Sequence, residues 1–149
     1  MKPVLLTIDL QKDFPRLFTL LKPAAKLDAS VRELTSFFRR RKLPIIHLLT
    51  LHKADGSTWT RQMKRDDFRI CVDGTDGFRE LDCVGRRPDE TVIHKTRWSA
   101  FHGTELDRLL KARGYDTLVL AGFLTHACIR VTALDAYQPP TADEQAAAG

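Results

Sequence analysis

Three residues of unlike chemistry stand at or just past three strand-like runs of this chain. Asp9 follows Val4-Leu5-Leu6-Thr7-Ile8, Lys95 follows Glu90-Thr91-Val92-Ile93-His94, and Cys128 lies one short turn after Thr117-Leu118-Val119-Leu120-Ala121. A cysteine attacks as its thiolate, an adjacent carboxylate can accept its proton, and a nearby ammonium offsets the negative charge of the set. Gly122 permits a sharp turn. From about Thr125 the spacing is helical, with Ile129, Val131, Thr132, Ala133 and Ala136 placed to face a core. Cys128 therefore falls near a helix N-terminus, where unpaired N–H groups and the positive end of the helix dipole favour a thiolate. Backbone amides of such a turn can also hold an oxyanion. Each residue has a plainer reading: a free cysteine is usually a small buried hydrophobe, a strand-end aspartate caps a loop, and a lysine snorkels to solvent. Their joint placement at three strand ends is what favours chemistry.

The elements that would position them read as an alternation of strands and helices. The near-continuous apolar run Val4–Ile8 suits a strand buried on both faces; Leu43–Leu49 reads as a second buried strand, Glu90–His94 as a third and shorter one, and Thr117–Ala121 as a short buried fourth. Between the first two, residues from about Ala24 to Lys42 predict a helix with Leu27, Val31, Leu34, Phe37 and Phe38 on one side. Thr104-Glu105-Leu106-Asp107 resembles a capping box, Leu106, Leu109 and Leu110 supply an apolar face, and Gly114 closes that helix. His52 to Gly77 is polar and reads as a long loop with one short helix; loops of this length in compact domains are usually functional. The pattern predicts an α/β fold with a mostly parallel sheet and helices on both faces. In such a sheet ligands bind at the carboxyl ends of the strands, where Asp9, Lys95 and Cys128 would meet.

The 149 residues suffice for one domain with a core, and 43% hydrophobic and 29% charged content is ordinary for a globular chain. A domain over residues 1–137 is expected, followed by an irregular or disordered tail, 138–149, where Gln138-Pro139-Pro140 stops the preceding helix. No apolar run suits a membrane span, and no signal peptide is read before the first strand. A cytoplasmic protein without a membrane partner is expected. The three cysteines do not form a disulfide framework; Cys71 and Cys83 read as structural. The net charge of +5 is a mild bias. Its densest run, Arg39-Arg40-Arg41-Lys42, reads as a solvated helix end complementing the dipole. No aromatic platform or groove-reading motif accompanies it, so no nucleic-acid partner is expected. No Gly-x-Gly-x-x-Gly follows the first strand, which disfavours dinucleotide binding.

Three segments, Leu5-Leu6-Thr7-Ile8-Asp9-Leu10-Gln11-Lys12-Asp13-Phe14, Val92 to Leu106 with Lys95-Thr96-Arg97-Trp98-Ser99-Ala100-Phe101 inside it, and Ala121-Gly122-Phe123-Leu124-Thr125-His126-Ala127-Cys128, resemble the isochorismatase-like cysteine hydrolase superfamily in order and spacing. That group includes nicotinamidases, carbamoylsarcosine amidohydrolases and ureidoacrylate hydrolases. The resemblance covers the chain to about Tyr137. It implies a three-layer Rossmann-like fold, Cys128 as nucleophile, Asp9 as general base and Lys95 as third member of a triad. The implied reaction is hydrolysis of a small amide, ureide or related molecule through a thioester. It also implies a cis peptide at Phe123-Leu124 and an oxyanion hole from the amides of Leu124 and Cys128.

Two departures from the family pattern stand out. Nicotinamidases hold a metal through an Asp and His residues after the second strand; here His47 and His52 are present without an Asp-x-His cluster, so neither a metal nor another cofactor is expected. After the nucleophile's helix the family continues through another strand and helix, a C-terminal unit that is not read here. The sheet would then present an open edge, a liability unless covered, and a homo-oligomer is expected. Phe14, Trp59 and Trp98 are the aromatic candidates for contact with a small-molecule substrate, with Thr125 and His126 beside the nucleophile. Two rival readings remain open: a non-catalytic association module of the same fold, and an isochorismate-type vinyl ether hydrolase that does not use the thiol in the same way.

Overall fold

The computed structural model describes residues 1–18 and 24–138; the tail expectation lies outside it from residue 139 onward. Four strands form one sheet: β1 (Pro3–Ile8), β2 (Ile45–Thr50), β3 (Thr91–Lys95) and β4 (Thr117–Gly122). All pairings are parallel and the order is β3-β2-β1-β4. The helices are α1 (Asp13–Leu17), α2 (Ala24–Arg40), α3 (Arg61–Arg65), α4 (Leu106–Arg113) and α5 (Arg130–Tyr137). The architecture is the expected α/β one. Leu43 and Pro44 precede β2 rather than belonging to it, because Pro44 has no N–H for a ladder.

Alternation along β1 divides the core. Val4, Leu6 and Ile8 point to one face, where they pack with Ile46, Leu48 and Ile93 and with Leu106 and Leu110 of α4. Leu5 points to the other and packs with Ile45 and with Phe38 of α2. Both faces of the sheet are thus covered, giving three layers. Each such buried side chain contributes about 1.5–3 kcal/mol relative to exposure. Gly114 ends α4 in the left-handed conformation at φ 65, donating to the carbonyls of Leu110 and Lys111. The capping box is only half made: Thr104 Oγ accepts from the Leu106 amide at 3.2 Å, while Asp107 pairs with Lys111.

Several expectations need correction. Phe37 is 40% exposed on α2 and Ala133 is exposed on α5, so the apolar stripes are narrower than the spacing suggested. The segment Thr125–Ile129 is a π-turn before α5 rather than the first turn of an α-helix. Arg39 is not a solvated helix end: its guanidinium, 13% exposed, grips Glu90 at 2.7 and 2.8 Å. The His52–Gly77 stretch holds α3, capped by Thr60, and the start of a 3₁₀ turn, Asp76–Phe78. It is pinned to the body by the buried Met63 and Cys71. Strand β4 is the sheet's outer strand on its side, and all six of its residues are half-buried. Among the described residues no helix is long and apolar enough to cross a membrane.

Candidate active site

The register of the sheet brings its four strand ends to one edge: Ile8 pairs with Gly122 and with Leu48, and two residues beyond Leu48 the end of β2, Thr50, pairs with Lys95. Asp9 turns off β1 with φ 58, a left-handed conformation that aspartate tolerates. The turn off β4 is made by Gly122 at φ +144, where a Cβ would lie 1.8 Å from the Ile8 carbonyl oxygen. Only glycine allows that approach, and the next amide, Phe123 N, donates to the same oxygen at 2.9 Å.

Asp9 is fully buried. Its Oδ1 accepts from Thr50 Oγ at 2.7 Å and from the Thr50 amide at 3.2 Å, and its Oδ2 accepts from Lys95 Nζ at 2.9 Å. Lys95 is 2% exposed, so it does not snorkel. Its ammonium also donates to Thr50 Oγ at 3.0 Å and to the Arg97 carbonyl at 3.1 Å, and it lies 3.6 Å from Cys128 Sγ. Cys128, 4% exposed, completes the group. The structure therefore brings Asp9, Lys95 and Cys128 together.

The surroundings of the thiol act against the thiolate that its helix position favours. Burial and the charge of Asp9 push the Cys128 thiol up to about 12, with a hydrogen bond to Asp9 acting in the same direction. Lys95 and the Leu124 backbone N–H, which is aimed at the sulfur, oppose this but are outweighed. The helix start does not prevail because the thiol is buried, and burial disfavours the charged form. Burial beside Asp9 thus favours the protonated sulfur, next to the carboxylate that can take its proton.

Two supporting residues were not picked out from sequence. Thr50 at the end of β2 bridges Asp9 and Lys95. Gln11, fully buried, accepts from the Thr50 amide at 2.9 Å and donates to the carbonyls of Thr50 (2.9 Å) and Phe78 (2.7 Å). A polar residue two positions beyond Asp9, on the same side of the chain, was the available signal. Asp13 is a third support. It accepts from the Cys71 amide at 2.8 Å and sits so close to Gly77 that a Cβ there would lie 1.9 Å from Oδ1.

Above this group lies a cavity of about 700 Å³ whose wall includes Phe14, Phe68, Ile70, Leu124, Val131 and Cys128. Phe14 is locked by stacking on Phe123, with ring centroids 5.8 Å apart. Trp98 and His126 also line the cavity; both are exposed, Trp98 at 64%, and stand at its rim. Thr125 is exposed and is not part of the wall. Neither is Trp59, which packs on Gly56 and Arg69 and donates from Nε1 to the Lys53 carbonyl at 2.8 Å. The Phe123–Leu124 peptide is cis.

His52 lines the cavity and is 2% exposed. Its Nδ1 meets the Thr58 carbonyl at 3.0 Å, which makes Nδ1 the donor and leaves Nε2 an acceptor. Burial lowers its pKa, and the charges of Arg97 and Lys95 push the same way against the Thr58 bond. His47 is committed elsewhere, to Thr7 at 2.8 Å and Glu90 at 3.0 Å. A nicotinamidase-type metal does not fit these residues: among those described, no three His, Cys, Asp or Glu side chains converge. Cys71 and Cys83 are buried free thiols; burial raises both, Cys83 to about 11.

Residues 3–139 match the Isochorismatase domain family. The chain is 34% identical over 146 residues to maleamate amidohydrolase of Pseudomonas putida, covering 92% of this chain and 66% of that protein. It is 34% identical over 86 residues to ureidoacrylate amidohydrolase RutB of Methylorubrum extorquens, covering 58% of this chain and 35% of that protein. It thus spans less than two thirds of the length of either relative. The solved N-carbamoylsarcosine amidase of Thermoplasma acidophilum is 32% identical and superposes with a TM-score of 0.75, over 93% of this chain and 78% of that one.

Proposed function

The chain belongs to the Isochorismatase domain family, and from that premise we propose that it is a metal-independent cysteine hydrolase of small amides or ureides. The relatives named above are an amidase and two amidohydrolases. The observation that carries the proposal is the contact of one buried ammonium with both other members. Lys95 Nζ lies 2.9 Å from the Asp9 carboxylate and 3.6 Å from the Sγ of Cys128, which lines a cavity that reaches the surface.

In this reading the Cys128 proton passes to Asp9 as Sγ attacks the carbonyl carbon. The carboxylate that holds the resting thiol protonated is the group that receives its proton. Once Asp9 is neutral its repulsion of the sulfur is gone, and the Lys95 cation faces the thiolate directly. The developing oxyanion accepts from the backbone N–H groups of Leu124 and Cys128. Asp9 then returns the proton to the leaving nitrogen, the C–N bond breaks, and a thioester remains on Cys128. Water, deprotonated by Asp9, attacks the thioester carbon; the acid leaves and the thiol is restored. Phe14 and Leu124 form the apolar wall against the substrate, with Trp98 and His126 at the entrance.

The test is Cys128→Ala, assayed for ammonia release from a panel of small carboxamides and ureides, with a thermal melt as control. Turnover is expected to fall by roughly 10⁴-fold or more without loss of fold. A folded variant with full turnover would rule out the thioester route and leave the vinyl ether type of hydrolysis.

A further inference from the structure

One ring nitrogen on the cavity wall has no partner among the described residues, and what it offers bears on the hydrolysis just proposed, on which the inference rests. His52 is 2% exposed and lines the cavity together with Thr50 and Cys128. It lies two residues beyond Thr50, whose hydroxyl touches both Asp9 and Lys95. Its Nδ1 meets the Thr58 carbonyl at 3.0 Å. A carbonyl only accepts, so Nδ1 carries the hydrogen and Nε2 holds a lone pair. Among the described residues Nε2 makes no hydrogen bond, yet no buried side-chain nitrogen or oxygen lacks a partner. Nε2 is therefore open to the cavity. His47 shows the contrast, with both ring nitrogens engaged, Nδ1 by Thr7 and Nε2 by Glu90.

The His52 ring is also kept neutral. Burial and the charges of Arg97 and Lys95 resist a second proton and outweigh the Thr58 bond and Asp9. The lone pair is thus held on the wall, within reach of the charges of Asp9 and Lys95. The thioester step has a use for it. The attacking water brings two hydrogens, and Asp9 takes one. The other needs an acceptor, since a polar hydrogen left unpaired against an apolar wall is costly.

We propose that His52 Nε2 accepts a hydrogen bond from the water that attacks the thioester, and so aims its oxygen at the acyl carbon on Cys128. The ring gains no proton. One water O–H bond breaks and its proton passes to Asp9, the oxygen bonds to the acyl carbon, the C–S bond breaks, and Asp9 returns the proton to the departing sulfur.

Hydrolysis of 4-nitrophenyl acetate tests this without a known substrate. Nitrophenolate leaves without needing a proton, so acetylation of Cys128 should not depend on His52, whereas hydrolysis of the acetyl thioester should. His52→Asn keeps a side-chain N–H near the Nδ1 position for Thr58 and removes the acceptor in the cavity. His52→Gln can present an amide oxygen near the Nε2 position. In His52→Asn the initial burst of nitrophenolate should keep its rate, while the steady rate after it falls roughly a hundredfold and acetylated Cys128 accumulates in the mass spectrum. His52→Gln should recover part of the steady rate. Hydroxylamine, which attacks a thioester without a base, should restore turnover to His52→Asn. Decay of acetyl-Cys128 after removal of excess reagent reads the protein that was folded enough to react, so a partial loss of fold does not blur the result. A decay rate unchanged in His52→Asn would overturn the inference and leave the hydrolase reading standing. So would equal falls in burst and steady rate, which mark a structural role. If the intact protein releases nitrophenolate no faster than Cys128→Ala, the hydrolase reading itself fails and this inference falls with it.

Discussion

Two buried ionic clusters hang on the same three strands. One lies at the carboxyl edge: Asp9 after β1, Thr50 at the end of β2, Lys95 at the end of β3. The other lies further back along the same strands, with Thr7 in β1, His47 in β2 and Glu90 just before β3, and is completed by Arg39 from α2. Both pair a carboxylate directly with a cation and add a threonine or a histidine that bonds to the carboxylate, and among the described residues no buried side-chain nitrogen or oxygen lacks a partner. They differ in what the carboxylate has left to do. Burial alone would raise Glu90, but Arg39, the Arg87 amide and His47 outweigh it and hold the carboxyl at about 2. A carboxylate held that low is a poor proton acceptor near neutrality. Asp9 instead faces a thiol whose proton it can take, beneath a cavity. The presence of a buried ion pair is therefore weak evidence for a site; what marks one is an acceptor that touches a titratable proton next to open space.

The largest effect is expected where the two roles coincide. Asp9→Asn leaves the Lys95 ammonium buried without its carboxylate, which costs about 3–5 kcal/mol of stability. It also removes the proton acceptor, so turnover should collapse with it. Urea denaturation and ammonia release measured on the same preparation would show both losses. A stable Asp9→Asn protein with near-normal turnover would erase the distinction between the clusters.

Glu90→Gln probes the other cluster and should separate the two readouts. Arg39 loses its ion pair, at a cost of roughly 2 kcal/mol given that it keeps some exposure and its bond to the Val84 carbonyl, while kcat stays unchanged. The pH dependence follows from the sign of the shifts. Glu90 has a folded-state pKa below its ordinary 4.5, at about 2. Its stabilisation is present above 4.5 and is lost as pH falls from there towards 2. His47, whose pKa is lowered chiefly by burial, acts in the same sense: its neutral form is favoured by folding, and that contribution is lost as pH drops below the ordinary value of 6.5. Urea midpoints across this range should fall with acid in the parent and fall less in Glu90→Gln. Parallel curves for the two proteins would mean that Glu90 is not the acid-labile element.

This contrast also shows what the sequence could reveal. Strands β1, β2 and β4 were legible because they are written as largely apolar runs; β3 carries only Val92 and Ile93 as apolar residues and was read as a shorter strand. Asp9 and Lys95 were legible because they interrupt or close those runs. The partner of Arg39 was not, because Glu90 lies 51 residues away and reads as an ordinary polar strand start. Thr50 and Gln11 were missed for a related reason: their side chains serve the site by bonding to other polar groups, and a buried threonine or glutamine looks like a loop residue until its partners are known. The opposing pull on the thiol was not legible either, because helix position is visible in sequence, whereas burial beside a carboxylate is a property of the packed site.

Trp59 carries the smallest predicted effect and sharpens the boundary between scaffold and site. Sequence placed it among the substrate contacts because it is a large aromatic in a long polar loop. In the structure its Nε1–H donates to the Lys53 carbonyl at 2.8 Å, and its ring lies under the Arg69 guanidinium, 3.9 Å from the ring centroid. Arg69 in turn bonds to the Met63 carbonyl at 2.7 Å, and Met63 is the buried anchor of α3. The ring thus holds the loop that forms one side of the cavity without facing the cavity itself. Trp59→Phe keeps a face for the guanidinium and loses the indole donor, so it should cost about 1 kcal/mol of stability and leave KM unchanged. A rise in KM with an unaltered melting temperature would reverse the assignment. It would put Trp59 among the residues that meet the substrate and make the long loop part of the site.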